Sequence, residues 1–216
     1  MYLWPVENVI EKPFTAEQVI EATGIHRAKV RNIFQYGSRV YGTNRLDSDY
    51  DVIVIACTMD THKENYCKIG DKLLNIHVFT PDVFKEALNT HNIMNLECYF
   101  LPEHFILLNK QPLELNLNQK ALVKNILGQS YNSWHGAKVS FNQSDPVRGT
   151  KGAFHAIRML IFAIQILEHG RITDYAAANH IFKSMSATNE FEWECFKEDF
   201  FPLKQELEDK LKNLAK

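Results

Sequence analysis

The sequence predicts an α+β fold: a small mixed β-sheet flanked by helices, followed by a helical C-terminal part. Three observations carry this. Asp51 to Ala56 is a β-branched run of the kind that fills a buried strand. Leu73 to Thr80 alternates, with Leu74, Ile76 and Val78 on one face and Leu73, Asn75, His77 and Phe79 on the other, which is a strand pattern. From Gln119 onward, apolar residues such as Ala121, Leu122, Ile126 and Leu127 recur at helical spacing.

Residues 1–13 read as irregular, broken by Pro5 and Pro13. Thr15 and Gln18 form a capping-box pair, predicting a helix from Ala16 to about Ala22, interrupted at Gly24, with a further turn over His26 to Arg31. Ile33 to Tyr36 reads as a short strand, and residues 58–70 as a loop or hairpin connection containing Gly70. Pro81 in a first turn starts a helix to about Asn89. An apolar segment, Ile93 to Phe100, ends at Leu101-Pro102, and Phe105 to Leu108 is a further short strand. Phe141 to Thr150 reads as a polar loop and Lys151 to His169 as the clearest helix, stopped by Gly170. Thr173-Asp174 predicts a short helix through about Phe182, and Glu190 to Leu214 a last one, interrupted near Pro202. Polar residues 109–118, with Pro112, place a soft boundary that divides the chain into 1–112 and 113–216.

The composition narrows the classes. A chain of 216 residues holds one large domain or two small ones, and 45% hydrophobic with 23% charged residues is ordinary for a globular protein. The formal net charge of -2 excludes a global basic field, so any nucleic-acid contact has to use a local patch. Cys57, Cys67, Cys98 and Cys195 are too scattered for a zinc site and read as reduced thiols of a cytoplasmic protein. The N-terminal Met1 to Pro5 lacks the pattern of a signal peptide. The longest strongly apolar run, Met159 to Leu167, falls short of a membrane span.

One stretch carries chemistry. Gly37-Ser38 is followed by Gly42 and then by Ser48-Asp49-Tyr50-Asp51, which opens the β-branched run. Asp49 and Asp51 stand two apart at the start of a strand, so period two puts both carboxylates on one face, about 6–7 Å apart along the backbone. Hard ions such as Mg²⁺ take oxygen ligands, and two of them about 3.5–4 Å apart clamp the oxygens of an in-line phosphoryl displacement. Gly37 lets the backbone approach a phosphate, Ser38 offers a hydroxyl, and the following turn offers N–H groups. Arg39 and Arg45 are candidate phosphate contacts, weighed against ordinary solvated arginines.

Gly37-Ser38 through Asp51 resembles the signature of the DNA polymerase β-like nucleotidyltransferase superfamily. The resemblance implies a small mixed sheet flanked by helices, a Gly-Ser turn for the triphosphate (Gly37, Ser38) and an Asp-x-Asp pair for Mg²⁺, with Mn²⁺ as the alternative ion (Asp49, Asp51). It makes residues 1–112 the nucleotidyltransferase core and 113–216 a helical domain packing on the nucleotide cleft. The partners it implies are an NTP and an acceptor that is an RNA end, a protein hydroxyl or a small molecule. No membrane is expected. A weaker likeness over Asn75 to His77, Asn92 to Glu97 and Lys151 to Arg158 is to the predicted branch associated with RNA repair.

The sequence departs from that pattern at one place. The superfamily carries a third acidic ligand on the strand after the Asp-x-Asp strand, whereas the matching strand here offers Asn75 and His77. Three readings are open: the pair suffices, Asp71 or Glu97 completes the site, or the site is impaired or rearranged. Lys151, His155 and Arg158 sit at i, i+4 and i+7 on an apolar helix, so they share one face that needs an anionic partner. A triphosphate between sheet and helix would provide it; pairing with Glu97 or Glu168 is the competing reading. His135, His169 and His180 read as structural or surface residues, and Trp4, Trp134 and Trp193 as core or interface anchors.

Overall fold

A computed structural model describes residues 13–60, 62–188 and 192–215. The readings made on residues 1–12, including Trp4, and on Glu190 lie outside the described residues. The capping box at Thr15 is formed as the sequence indicates, and α1 (Ala16–Thr23) ends at Gly24 in a left-handed conformation. A 3-10 turn (Arg27–Lys29) replaces the second helical turn and leads into β1 (Val30–Tyr36). Then come α2 (Ser38–Tyr41), β2 (Tyr50–Ala56), β3 (His62–Ile69), β4 (Lys72–Phe79), α3 (Pro81–Asn89) and α4 (Ile93–Tyr99). A short 3-10 turn (Glu103–Phe105) precedes β5 (Ile106–Asn109), and the helical part comprises α5 (Gln119–Asn142), α6 (Pro146–His169), α7 (Asn179–Ala187) and α8 (Trp193–Leu214).

The sheet order is β3-β4-β2-β1-β5. β2 and β4 are parallel; the pairs β1/β2, β1/β5 and β3/β4 are antiparallel. The sheet is therefore mixed, as expected. Residues 58–70, read as a loop or hairpin connection, hold an edge strand. β3 has little apolar alternation because its side chains are mostly exposed, so period two leaves no hydrophobic trace there.

One sheet face buries Val52, Val54, Leu74, Ile76 and Val78 against Val19 and Ile20 of α1. The other buries Phe34, Ile53, Ile55 and Phe79 in a larger core that also takes Phe84, Leu96, Leu122, Ile126, Phe162 and Leu211. That core runs unbroken across the 112/113 boundary. A third cluster holds Trp134, Trp193 and Phe196 among the C-terminal helices, so both tryptophans are core anchors. α6 has the length and hydropathy of a membrane span, but 67% of that window is buried against the other elements.

The helical half deviates from the sequence reading at its junctions. The expected loop from Phe141 to Thr150 shrinks to 143–145, with Ser144 at φ 61. Asp145 caps α6 through Arg148 N, and Pro146 pre-sets its first turn, so the helix starts five residues earlier than Lys151. α7 starts at Asn179 rather than beside Thr173, because Gln165 Oε1 accepts from the N–H groups of Thr173 and Asp174 and pins that segment as a turn. Pro202 lies inside α8 without ending it.

Candidate active site

β1 delivers the chain to Gly37, which adopts φ 83 and ψ -158, a conformation open to glycine alone. Its carbonyl accepts from Val40 N at 2.9 Å and Tyr41 N at 3.2 Å, which winds the single turn of α2. The N–H groups of Ser38 and Arg39 begin that turn and have no intrahelical acceptor. Gly42, at φ 75, ends it.

The sheet register then assembles a row. Tyr36 pairs with Asp51, Asp51 with Asn75, and Asn75 with Tyr66. Directly paired residues present their side chains on one face, so Asp51, Asn75 and both tyrosines face the side covered by the larger core. Asp49, one residue before β2 begins, is near enough for its charge to act on the Asp51 carboxyl. Gly37 presses against this row: a Cβ there would lie 2.1 Å from Asp51 Oδ2 and 2.8 Å from its carboxyl carbon. The missing side chain at Gly37 is what lets the turn and the carboxylate meet.

Burial, and secondarily the neighbouring Asp49, push the Asp51 carboxyl up to about 7, partly offset by Arg39. Glu64 adds a smaller push in the same direction. This acid, on β3, is the one sequence reasoning missed; its strand was read as a loop or hairpin connection, and only the register places it opposite His77. Its Oε1 lies 3.7 Å from His77 Nε2 and accepts from the Tyr66 hydroxyl at 3.1 Å. His77 Nδ1 faces His62 Nε2 at 3.3 Å, and burial holds the His77 ring below the usual histidine range. Asp71, the other acid considered for the site, sits at the β3–β4 turn with its side chain 92% exposed, paired to Lys72.

Asn75 occupies the position of the missing third acid. It is buried, and among the described residues its Oδ1 has no hydrogen-bond partner. An orphaned amide oxygen beside two carboxylates is an all-oxygen donor set that fits a hard divalent ion. Among the described residues no group of three or more His, Cys, Asp and Glu side chains converges to hold a metal. Any ion at Asp49 and Asp51 therefore has to complete its shell with Asn75, substrate or water.

The cations are arranged differently from the sequence picture. Arg39 Nε donates to the Asp49 carbonyl at 3.2 Å, its Nη2 donates to the Ser48 carbonyl, and its guanidinium lies 3.8 Å over the Tyr50 ring. It clamps the loop that carries Asp49. Arg45 is largely exposed beside Asp47, at 3.6 Å. The ridge on α6 is divided. Lys151 is exposed. His155 is driven down to about 3 by burial and by Arg158, so it carries no charge near neutral pH in the ligand-free chain. Arg158 is buried, 3.5 Å from Glu97 Oε1, which is the competing reading of this residue. Its guanidinium lies 3.7 Å over the Tyr41 ring, and the Tyr41 hydroxyl donates to Glu97 Oε2. Burial pushes the Glu97 carboxyl up, countered by Arg158 and Tyr41. The Tyr175 hydroxyl donates to the Glu97 carbonyl at 2.7 Å, and Asn179 Nδ2 to the Tyr41 carbonyl at 2.8 Å. The Tyr41 ring also stacks on Tyr175, with centroids 6.4 Å apart, so Tyr41, the last residue of α2, is tied to α4, α6, α7 and the turn that carries Tyr175. The buried pair supports the cradle from behind.

No family model and no curated protein matches the chain. Among solved structures it is similar to a nucleotidyltransferase-like protein from Exiguobacterium sibiricum 255-15, at 11% identity over 88% of this chain and 69% of that one, with a TM-score of 0.33. It is also similar to an aminoglycoside 6-adenyltransferase from Bacillus subtilis, at 7% identity over 92% of this chain and 89% of that one, with a TM-score of 0.35.

Proposed function

We propose that the protein is a Mg²⁺-dependent nucleotidyltransferase, with Mn²⁺ as the alternative ion, moving an NMP from an NTP to an acceptor with release of pyrophosphate. The observation that carries this reading is the contact between Gly37 and Asp51. It joins a turn with free N–H groups to a carboxylate pair, at a spacing no side chain on residue 37 would permit. Asp49 and Asp51, completed by the Asn75 amide oxygen, would hold the metal. Bound there, Mg²⁺ supplies charge neutralisation at the reacting phosphate and lowers the pKa of an attacking hydroxyl.

The chain's own residues do the rest. The Ser38 hydroxyl and the N–H groups of Ser38 and Arg39 hold the β- and γ-phosphates. Arg39 fixes the approach of Asp49 through the Ser48 and Asp49 carbonyls. Lys151 and Arg45, which leaves its exposed partner Asp47, are the exposed cations that follow the phosphate chain; His155 and Arg158 act through the cradle's support. An acceptor oxygen attacks the α-phosphorus, the bond to the bridging oxygen breaks, and pyrophosphate leaves. The acceptor is an RNA end, a protein hydroxyl or a small molecule.

The test is pyrophosphate release from each of the four NTPs with Mg²⁺ or Mn²⁺ and a mixed acceptor pool. Release that disappears in both Asp49→Asn and Asp51→Asn supports the enzyme. Asn75 in place of an acid favours a second reading, a nucleotide- or partner-binding module without turnover. Saturable, metal-dependent NTP binding with no pyrophosphate from the wild type would establish that reading over the first.

A further inference from the structure

We propose that the exposed face of α5 binds single-stranded nucleic acid. The proposal stands independently of nucleotidyl transfer. It starts from a charge asymmetry inside a chain of net charge -2. Residues 115–167 contain one acid, Asp145, against Lys120, Lys124, Lys138, Arg148, Lys151 and Arg158. All of these cations except Arg158 are exposed. Lys120, Lys124 and Lys138 form no ion pair among the described residues.

Helical spacing sorts these residues into a stripe. Lys120, Lys124, Gly128, Tyr131, His135, Lys138 and Asn142 follow one another at steps of three or four, so they line one face of α5 over about 33 Å. Every one of them is exposed. At the centre, the Tyr131 ring, 64% exposed, stacks on His135 with centroids 6.3 Å apart and planes 9° apart. Lysines stand on both sides. A positive track with an aromatic stack in the middle is how single strands are held without sequence preference, phosphates on the cations and a base on the ring.

One glycine supports this. Gly128 lies mid-helix, where glycine weakens the helix relative to alanine. Packing does not explain it, since a Cβ there would meet nothing within 4 Å. It precedes Tyr131 by three residues on the same stripe and leaves a low floor beside the ring on which a flat base can lie. The stripe carries no leucine, isoleucine or phenylalanine to enter a lipid surface. Stacking on an aromatic ring needs a base free of its partner, which disfavours duplex.

The test is fluorescence anisotropy of the full chain with labelled 15-mers of uridylate and thymidylate, a 15-base-pair duplex, and anionic phosphatidylserine vesicles as competitor. The single strands should bind in preference to duplex. Tyr131→Ala should weaken binding about tenfold, while Tyr131→Phe, which keeps the ring, should retain it. Lys124→Ala with Lys138→Ala should lower the slope of log K against log salt by about 1.4. Three results would each overturn the proposal: no binding to the single strands at 50 mM salt, equal affinity for duplex or displacement by vesicles, and affinity unchanged in Tyr131→Ala. Because all the altered side chains are exposed, circular dichroism should be unchanged; a variant that loses its helical spectrum is replaced by Tyr131→Ser, for which the same loss is required.

Discussion

Replacing Asp51 by Asn should stabilise the protein while removing its activity. The Asp51 carboxyl stands at about 7 in the folded chain against an ordinary value of 3.8, with burial as the main cause and Asp49 the second. Between those values the folded state holds a proton that the unfolded state has released. Folding stability therefore falls as pH rises from about 4 to about 7, and the loss is complete above 7. The gap sets a ceiling of about 4 kcal/mol. The side chain is only partly buried and borders the open site, so solvent relaxation reduces the effect to about 1–2 kcal/mol. Asparagine carries no charge at any pH and escapes this cost. In thermal unfolding with EDTA present, Asp51→Asn should melt about 2–8 °C above wild type at pH 8. At pH 4 the two should coincide. The wild-type curve should slope downward from pH 4 to 7, and that of the variant should slope less. An Asp51→Asn protein less stable than wild type at pH 8, or a difference independent of pH, would refute the reasoning that the carboxylate is held there against its own charge.

Two other perturbations test the support of the site. Gly37→Ala places a methyl group against Asp51 in a backbone conformation reserved for glycine, and should cost about 1–3 kcal/mol in urea unfolding. Pyrophosphate release should fall at least as far as in Asp51→Asn, because the carboxylate has to turn away. Glu97→Ala leaves Arg158 buried without its partner and should destabilise by about 3–5 kcal/mol, whereas Glu97→Leu combined with Arg158→Met should recover most of that loss in the same assay.

The apolar architecture was legible in the sequence because burial leaves a period. β2 and β4 are read from their β-branched and alternating runs, and α1, α3 and most of α6 from their caps. β3 was not legible, because an exposed edge strand has no apolar face to repeat. The α5–α6 junction was not legible either, since a polar stretch reads as loop whether or not its backbone is helical; Asp145-Pro146 is the signal that marks the helix start. At the site, Gly37, Ser38, Asp49 and Asp51 were visible as a local motif. Glu64 was not, since only strand pairing brings it to the Asp51 row. The pairing of Arg158 with Glu97, 61 residues away in sequence, could be raised as an alternative but not chosen, because helical spacing shows that Lys151, His155 and Arg158 share a face and says nothing of what that face meets.

The tethering of Tyr41 has a consequence for how the chain is made. The turn that begins at Gly37 is held through Tyr41 by partners in α4, α6, the Tyr175 turn and α7. During synthesis the sheet strands and Glu97 emerge first, but the turn lacks its other supports until Asn179 has left the ribosome. A nascent chain halted at residue 112 carries the whole sheet and both aspartates, and still lacks Arg158, Tyr175 and Asn179. The support of the Gly37 turn is therefore completed late, when the helical half docks, rather than growing strand by strand.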